Sequence, residues 1–71
     1  MVTYENQSPA DIRDGDLVID NLGRQFWAYS DAIADYGDYQ VMGALVSAPN
    51  DVRWFTVDLM SRVTISYTED E

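Results

Sequence analysis

The chain has no lysine, no histidine and no cysteine, and only four arginines accompany its 13 aspartates and glutamates. The side chains that usually move protons near neutral pH, attack as thiolates or form Schiff bases are therefore missing. Neither a disulfide nor a metal site built from cysteine and histidine can form. These absences predict that the protein is not an enzyme, has no catalytic residue and requires no metal or cofactor.

Positive charge is scarce enough to restrict the class of partner. The formal net charge of -9 at pH 7 repels nucleic acids and anionic membranes and attracts basic surfaces. Apolar runs fall far below the roughly 20 residues of a membrane-spanning helix, and the first residues show no signal peptide. We expect a cytoplasmic protein that binds a protein with a basic surface, such as a nucleic-acid-binding protein, and binds neither nucleic acid nor membrane directly.

The 71 residues suffice for one domain of limited stability, because so short a chain buries only about 60% of its unfolded surface. Hydrophobic residues nevertheless make up 46% of the chain and include two Trp, two Phe and five Tyr. This content excludes a generally disordered acidic protein. We predict a single domain over residues 1–71, with a leader over 1–13, a β core over 14–67 and an acidic tail over 68–71.

Short segments rich in β-branched and aromatic residues alternate with turn-forming residues, a pattern typical of β-strands. The segment over 52–57 is the clearest, with Trp54 and Phe55 on opposite faces, and we expect Trp54 to lie in the core. Gly43, inside another segment, predicts a bulge or a sharp bend. The predicted strands cover residues 17–20, 24–29, 39–46, 52–57 and 63–67, and the first two should form a hairpin.

Helix is expected in only two short places. Ser30 and Asp31 resemble a helix cap and Gly37 a helix end, so residues 31–36 are predicted to form one or two helical turns or merely a structured loop. Residues 58–62 are too few for a helix and predict a single 3₁₀ turn. The predicted fold class is mainly β: a small five-stranded barrel or a strongly bent antiparallel sheet with one short helical turn, which leaves few exposed strand edges.

The order of these parts is similar to that of the Src-homology-3-like small barrel. The resemblance covers about residues 14–67 and rests on the pattern GDLVID…GRQFWAYS…YQVMGALV…VRWFTVDLMSRVTI. It implies a hairpin, a decorated loop, a bent central hairpin and a 3₁₀ turn before the last strand. The N-terminal residues lack the ALYDY-type stretch of the peptide-binding members, so recognition of proline-rich peptides is not implied, and the fold alone implies no function.

Six aspartates fall into two groups that are each close in sequence: Asp14, Asp16 and Asp20, and Asp31, Asp35 and Asp38. Paired carboxylates can hydrolyse a glycosidic bond, but so small a barrel leaves little room for a sugar chain. The first group lacks the glycine at the sixth position of a calcium loop, and Gln25 stands in the place of its bidentate acid. Solvated turn residues are the simpler interpretation of both groups.

Two tyrosines accompany the second group, because Tyr36 and Tyr39 flank Gly37 and Asp38 in one predicted loop. Aromatic rings and carboxylates together suit an arginine-rich surface, since a guanidinium can stack on a ring and pair with a carboxylate. The predicted partner-binding residues are therefore Asp31, Asp35, Tyr36, Asp38 and Tyr39, with Asp14, Asp16 and Asp20 as a secondary set.

Carboxylates spread over a folded surface can also imitate the phosphate charge of a DNA duplex, about one charge per 1.7 Å of helix axis. In size, acidity and lack of lysine, the chain resembles small, often phage-encoded DNA-mimic proteins and anti-restriction and anti-CRISPR inhibitors. The resemblance implies an inhibitor of a host nucleic-acid-handling protein, acting in the host cytoplasm. Two alternatives stay open: an acidic surface that only maintains solubility, and a structural or assembly module, such as a small virion component, that forms a homo-oligomer.

Overall fold

Antiparallel β-pairing organises the whole fold. The computed structural model describes residues 1–68, and within them seven strands form one antiparallel sheet that curls strongly into a half-barrel. The predicted mainly β fold class is confirmed, and five of the strands match the five predicted segments. The strands are β1 (Val2–Gln7), β2 (Leu17–Ile19), β3 (Gln25–Ala28), β4 (Ile33–Asp35), β5 (Asp38–Leu45), β6 (Arg53–Asp58) and β7 (Val63–Tyr67).

The strand order is β1, β7, β2, β3, β5 and β4, with β6 also pairing with β5. The first residues of β5 pair with β4 and its last residues pair with β3. Gly43 lies where β5 meets β3, and a Cβ atom there would overlap the carbonyl oxygen of Trp27. Pairing with β6 stays in register up to Gly43, and pairing with β3 stays in register from Gly43 onward. The glycine therefore permits a close approach of two backbones, and of the predicted bulge or sharp bend, the bulge is absent from this register.

The core lies on the concave side of the half-barrel and centres on two aromatic rings. Phe26 of β3 and Phe55 of β6 stack with ring centroids 4.1 Å apart and planes 3° apart. Burying each side chain stabilises the fold by about 1.5–3 kcal/mol. The β-branched residues of four other strands or loops surround the pair. The buried cluster comprises Ile12, Val18, Phe26, Ala28, Val41, Phe55, Val57, Val63 and Ile65.

Residues 1–13, the predicted leader, contribute to the sheet and to the core. Val2–Gln7 forms β1 and pairs with β7, with a register shift between Tyr4 and Gln7 where Asn6 adopts a positive φ of 56°. Asparagine tolerates this conformation better than most residues. Ile12 is fully buried. At the other end, only Thr68 of the predicted acidic tail is described, and residues 69–71 lie outside the described residues.

The helical turn predicted within residues 31–36 is wrong, because the only helical segment of residues 1–68 is the 3₁₀ turn Pro9–Asp11. The segment predicted as a helical turn contains β4, because pairing with β5 satisfies its backbone. Ser30 does not cap a helix: its Oγ accepts a hydrogen bond from Met42 N at 3.0 Å and donates to Asp31 O at 3.1 Å. Residues 58–62 form a turn closed by Ser61 N and Asp58 O at 3.0 Å.

No helix in the described part of the chain is long and apolar enough to span a membrane.

Candidate functional site

The β4–β5 hairpin ends in a two-residue turn, Tyr36-Gly37, in an unfavourable conformation. Both residues have positive φ, 45° for Tyr36 and 89° for Gly37. Two-residue hairpin turns with two positive φ angles favour Asn-Gly or Gly-Gly, because a bulky side chain meets its own backbone there. Tyr36 is fully exposed to solvent. Packing within the fold therefore does not offset the strain at Tyr36.

Three carboxylates form a row across the strands beside this turn. Asp35 of β4 lies opposite Asp38 of β5, and Asp38 lies opposite Asp58 of β6. Directly opposed residues project from the same face of a sheet, where like charges are destabilising. Within residues 1–68 the ion pairs join Arg24 to Asp20 and Arg53 to Asp51, so no arginine neutralises the row. We call Asp35, Tyr36, Asp38 and Asp58 the acidic tip.

Exposed apolar side chains adjoin the acidic tip. The turn after β6 lies against it, because Leu59 N donates to Gly37 O at 3.2 Å and Met60 N donates to Asp58 Oδ1 at 2.8 Å. Leu59 and Met60 are both exposed. These side chains extend the tip into a surface that is both acidic and apolar.

Trp54 lies outside the core, and its predicted burial is wrong. Its side chain is 53% exposed, whereas its neighbour Phe55 is 2% exposed. The strand alternates as predicted, but the curl of the sheet turns Phe55 and Val57 inward and leaves Trp54 on the convex face. There it borders a shallow cavity of about 460 Å³ that Ile33 and Asp35 also line.

The structure divides the predicted site residues into three places. Asp35, Tyr36 and Asp38 belong to the acidic tip. Tyr39 follows in β5 but is half buried, opposite Ala34 and Val57. Asp31 is joined instead to the loop before β2, since its Oδ1 accepts a hydrogen bond from Asp14 N at 3.0 Å. The secondary set is likewise split, as Asp14 and Asp16 lie in that loop and Asp20 lies at the β2–β3 turn.

Asp20 is held by an internal ion pair. Its side chain is 1% exposed, and Oδ2 accepts a hydrogen bond from Arg24 Nε at 2.6 Å. Oδ1 accepts from Leu22 N at 3.0 Å and from Arg24 N at 2.9 Å. The Arg24 guanidinium also lies 5.5 Å from the ring centroid of Phe55 and donates to Thr56 O at 3.2 Å. This carboxylate therefore ties the β2–β3 turn to β6 and presents no surface for a partner.

Asp16 is the second buried aspartate, and its buried environment disfavours the charged form of its carboxylate. Burial raises the pKa of Asp16 above its ordinary value of 3.8, and the nearby charge of Asp31 raises it further. A hydrogen bond from Arg13 N to Oδ2 at 2.8 Å and the charge of Arg13 act in the opposite direction. Desolvation is the largest of these effects.

Sequence reasoning missed the contributions of Asp58, Leu59, Met60 and Trp54 to this surface. Asp58 is more than 20 positions from Asp35, and only strand register brings the two together. The turn that contains Leu59 and Met60 is predicted over residues 58–62, but the sequence gives no sign that it lies against Gly37.

No protein-family model matches the chain, and no curated protein and no solved structure matches it either. The small curled β sheet is thus the extent of the agreement with the predicted Src-homology-3-like barrel. Within residues 1–68, no group of three or more aspartates and glutamates has the arrangement that could hold a metal ion.

Proposed function

We propose that this protein is a non-catalytic binding protein whose acidic tip engages a basic surface of a protein that handles nucleic acid. One observation carries the proposal: the row of Asp35, Asp38 and Asp58, which no arginine of residues 1–68 neutralises, adjoins the fully exposed and strained Tyr36. Opposed like charges and a tyrosine at positive φ both lower the stability of the free protein. Binding to a cationic partner accounts for both features, because the partner neutralises the carboxylates and covers the exposed tyrosine.

Each part of the acidic tip has a matching group on an arginine-rich surface. A guanidinium pairs with a carboxylate through two parallel hydrogen bonds, and its plane stacks on an aromatic ring. The neighbouring Leu59 and Met60 can contact the aliphatic stems of such arginines. Tyrosine is also among the residues that most often dominate binding energy when an interface buries them.

Inhibition is the expected consequence when the basic surface is a nucleic-acid site. The net charge of -9 gives long-range attraction to the surface that a duplex uses. The row at the acidic tip supplies carboxylates on neighbouring strands, about 5 Å apart, at the point of contact. The protein then occupies the site and excludes DNA, which is the mode of action of a DNA mimic.

The test begins with a partner captured from a host lysate and purified, and it measures association and dissociation rates by surface plasmon resonance. We expect association to slow steeply with salt, because exposed charges are screened beyond about 8 Å at physiological ionic strength. D35N/D38N should slow association by about tenfold. Tyr36→Ala should chiefly accelerate dissociation.

The matched control is E5Q/D51N, which removes the same number of charges from exposed positions away from the acidic tip. It should change association much less than D35N/D38N does. Equal slowing by the two double variants would show that total charge alone drives binding. Duplex DNA provides the second arm: if the partner binds DNA and this protein together without mutual weakening, the mimic mechanism is wrong.

Self-association is the competing function, and exposed Trp54 and Met60 are the features that favour it. The acidic tip opposes it, because a second copy seated on this surface would bring two carboxylate rows together. We therefore expect a monomer by size-exclusion chromatography with light scattering. A stable oligomer that Trp54→Ser dissociates would favour the structural-module alternative instead.

A further inference from the structure

A second concave surface lies on the opposite half of the sheet from the acidic tip. It is a groove of about 660 Å³ between the β1–β7 pair and the loop over residues 11–16. Tyr4 and Tyr67 line it and stack on each other, with ring centroids 5.9 Å apart and an interplanar angle of 22°. Three aspartates line the same groove: Asp11, Asp14 and Asp16. We call it the Tyr4–Asp16 groove.

Asp16 lines this groove, and one of its carboxylate oxygens accepts no hydrogen bond from residues 1–68. The residue is only 6% exposed, and its Oδ2 accepts the hydrogen bond from Arg13 N. No group within residues 1–68 donates to the other oxygen, Oδ1, and every fully buried side-chain oxygen or nitrogen there has a partner. Oδ1 is therefore open to the groove that Asp16 lines. It lies in a partly desolvated setting, where a charge-assisted hydrogen bond is strong.

The cation already present does not neutralise these carboxylates. Arg13 lines the groove, but its Nη1 donates to Ala10 O at 2.7 Å and to Ile12 O at 3.2 Å. Its guanidinium forms no ion pair with Asp11, Asp14 or Asp16, since the ion pairs of residues 1–68 lie elsewhere. Three aspartates thus line the groove with one arginine, whose Nη1 donates to the backbone. The groove retains an excess of negative charge beside two aromatic rings.

We infer that the Tyr4–Asp16 groove is a binding site for a guanidinium group, presented as an arginine side chain of a partner. Aromatic rings attract a cation over their faces, and a planar guanidinium combines that contact with hydrogen bonds to a carboxylate. A metal ion is the poorer candidate, because the acids of residues 1–68 include no metal-holding group. The groove is large enough for one extended side chain. This inference concerns different residues from the acidic tip and stands without the proposed function.

The test is an NMR titration of the ¹⁵N-labelled protein with N-acetyl-arginine methylamide, compared with the lysine and norleucine derivatives. We expect saturable shifts at the amides of Tyr4, Asp11, Asp14 and Asp16, with a dissociation constant on the order of 1 mM. The lysine derivative should bind more weakly, and the norleucine derivative should cause no saturable shift. Tyr4→Leu keeps an apolar side chain without the ring face and should weaken binding about two- to fivefold.

Charge-removal variants locate the site. D11N/D14N should weaken binding by about three- to tenfold while leaving the spectrum of a folded protein, because both residues are exposed. The matched control E5Q/D51N removes two charges from exposed residues that line neither the groove nor the acidic tip, and it should leave the dissociation constant unchanged. Absence of saturable shifts, equal binding of the lysine or norleucine derivative, or loss of binding in E5Q/D51N would each overturn the inference. None of these outcomes affects the test of the acidic tip, which uses a protein partner and other residues.

Discussion

Two hairpins of the sheet have aspartates at their turns, and the environments of these aspartates are opposite. At the β2–β3 turn, Asp20 is buried, accepts three hydrogen bonds and is paired with Arg24. At the β4–β5 turn, Asp35 and Asp38 oppose each other without a cation, and Tyr36 is strained and exposed. The first turn stabilises the fold, whereas the second reduces stability and leaves charge at the surface. This difference supports the proposal that the β4–β5 turn, and not the β2–β3 turn, binds a partner.

The largest expected effect comes from breaking the stabilising turn. Asp20→Ala leaves the Arg24 guanidinium and two backbone amides without their acceptor, and we expect it to lower the free energy of unfolding by about 3–5 kcal/mol. In a domain this small, that loss unfolds most of the protein. Urea denaturation, monitored by tryptophan fluorescence, measures this loss in the free energy of unfolding. Asp20→Asn keeps an acceptor for the amides and should lose less. If both variants unfold at the wild-type midpoint, Asp20 does not stabilise the turn.

The next largest effect is a change in stability, and it has opposite signs for substitutions at two adjacent residues of the β4–β5 turn. Tyr36→Gly removes a bulky side chain from a position with positive φ, and we expect stability to rise by up to about 1 kcal/mol. Gly37→Ala places a Cβ at a φ of 89° and should lower stability by about 1 kcal/mol. Thermal unfolding monitored by circular dichroism compares them. A loss of stability in Tyr36→Gly would mean that the tyrosine ring contributes to the fold.

A smaller effect comes from removing the opposed charges. We expect D35N/D38N to raise the free energy of unfolding by about 0.2–1 kcal/mol, because direct like-charge opposition across strands ends. The gain should shrink as salt is added, since exposed charges are screened. Denaturation at low and high ionic strength gives the comparison. A gain that is independent of salt would point to packing and not to charge.

The smallest effect concerns pH and Asp16. Because burial raises the pKa of Asp16 in the folded state, the folded protein holds this proton at pH values where the unfolded chain has lost it. Ionisation of Asp16 therefore lowers stability as pH rises from its ordinary value of 3.8 towards the raised value. We expect the stability of Asp16→Asn relative to wild type to increase across that interval and then remain constant. A difference that does not vary with pH would show that the pKa is unshifted.

The strands that sequence predicts are those whose own residues carry a strong β pattern. The segment around Phe55 alternates apolar and polar side chains, and the segments that contain Val18 and Phe26 are separated by a clear turn. β1 and β4 have no such pattern: one is mostly polar and the other is only three residues long. β1 becomes a strand because the distant β7 offers it a backbone partner, and β4 becomes one because the turn at Tyr36-Gly37 folds β5 back beside it. Neither pairing is encoded within the short segment itself.

The candidate site is likewise predicted only in part: the sequence places together the residues that are close in the chain, but not those that strand pairing brings together. Asp35, Tyr36 and Asp38 are neighbours in sequence, so their proximity follows from the local chain. Asp58 joins them only through the register of β5 and β6. Trp54 is a harder case, because alternation separates it from Phe55 without indicating which of the two faces the interior. The curl of the complete sheet decides that question.

The position of β7 determines when the protein can fold during synthesis. This strand lies between β1 and β2 and pairs with both, so Val2 is opposite Tyr67 and Leu17 is opposite Ser66. Such distant pairings make folding slow relative to helical domains of similar size. A nascent chain that ends before Val63 lacks the strand that joins β1 to the rest of the sheet, and β1 then has no neighbour. The sheet can therefore be completed only after residue 67 has left the ribosome.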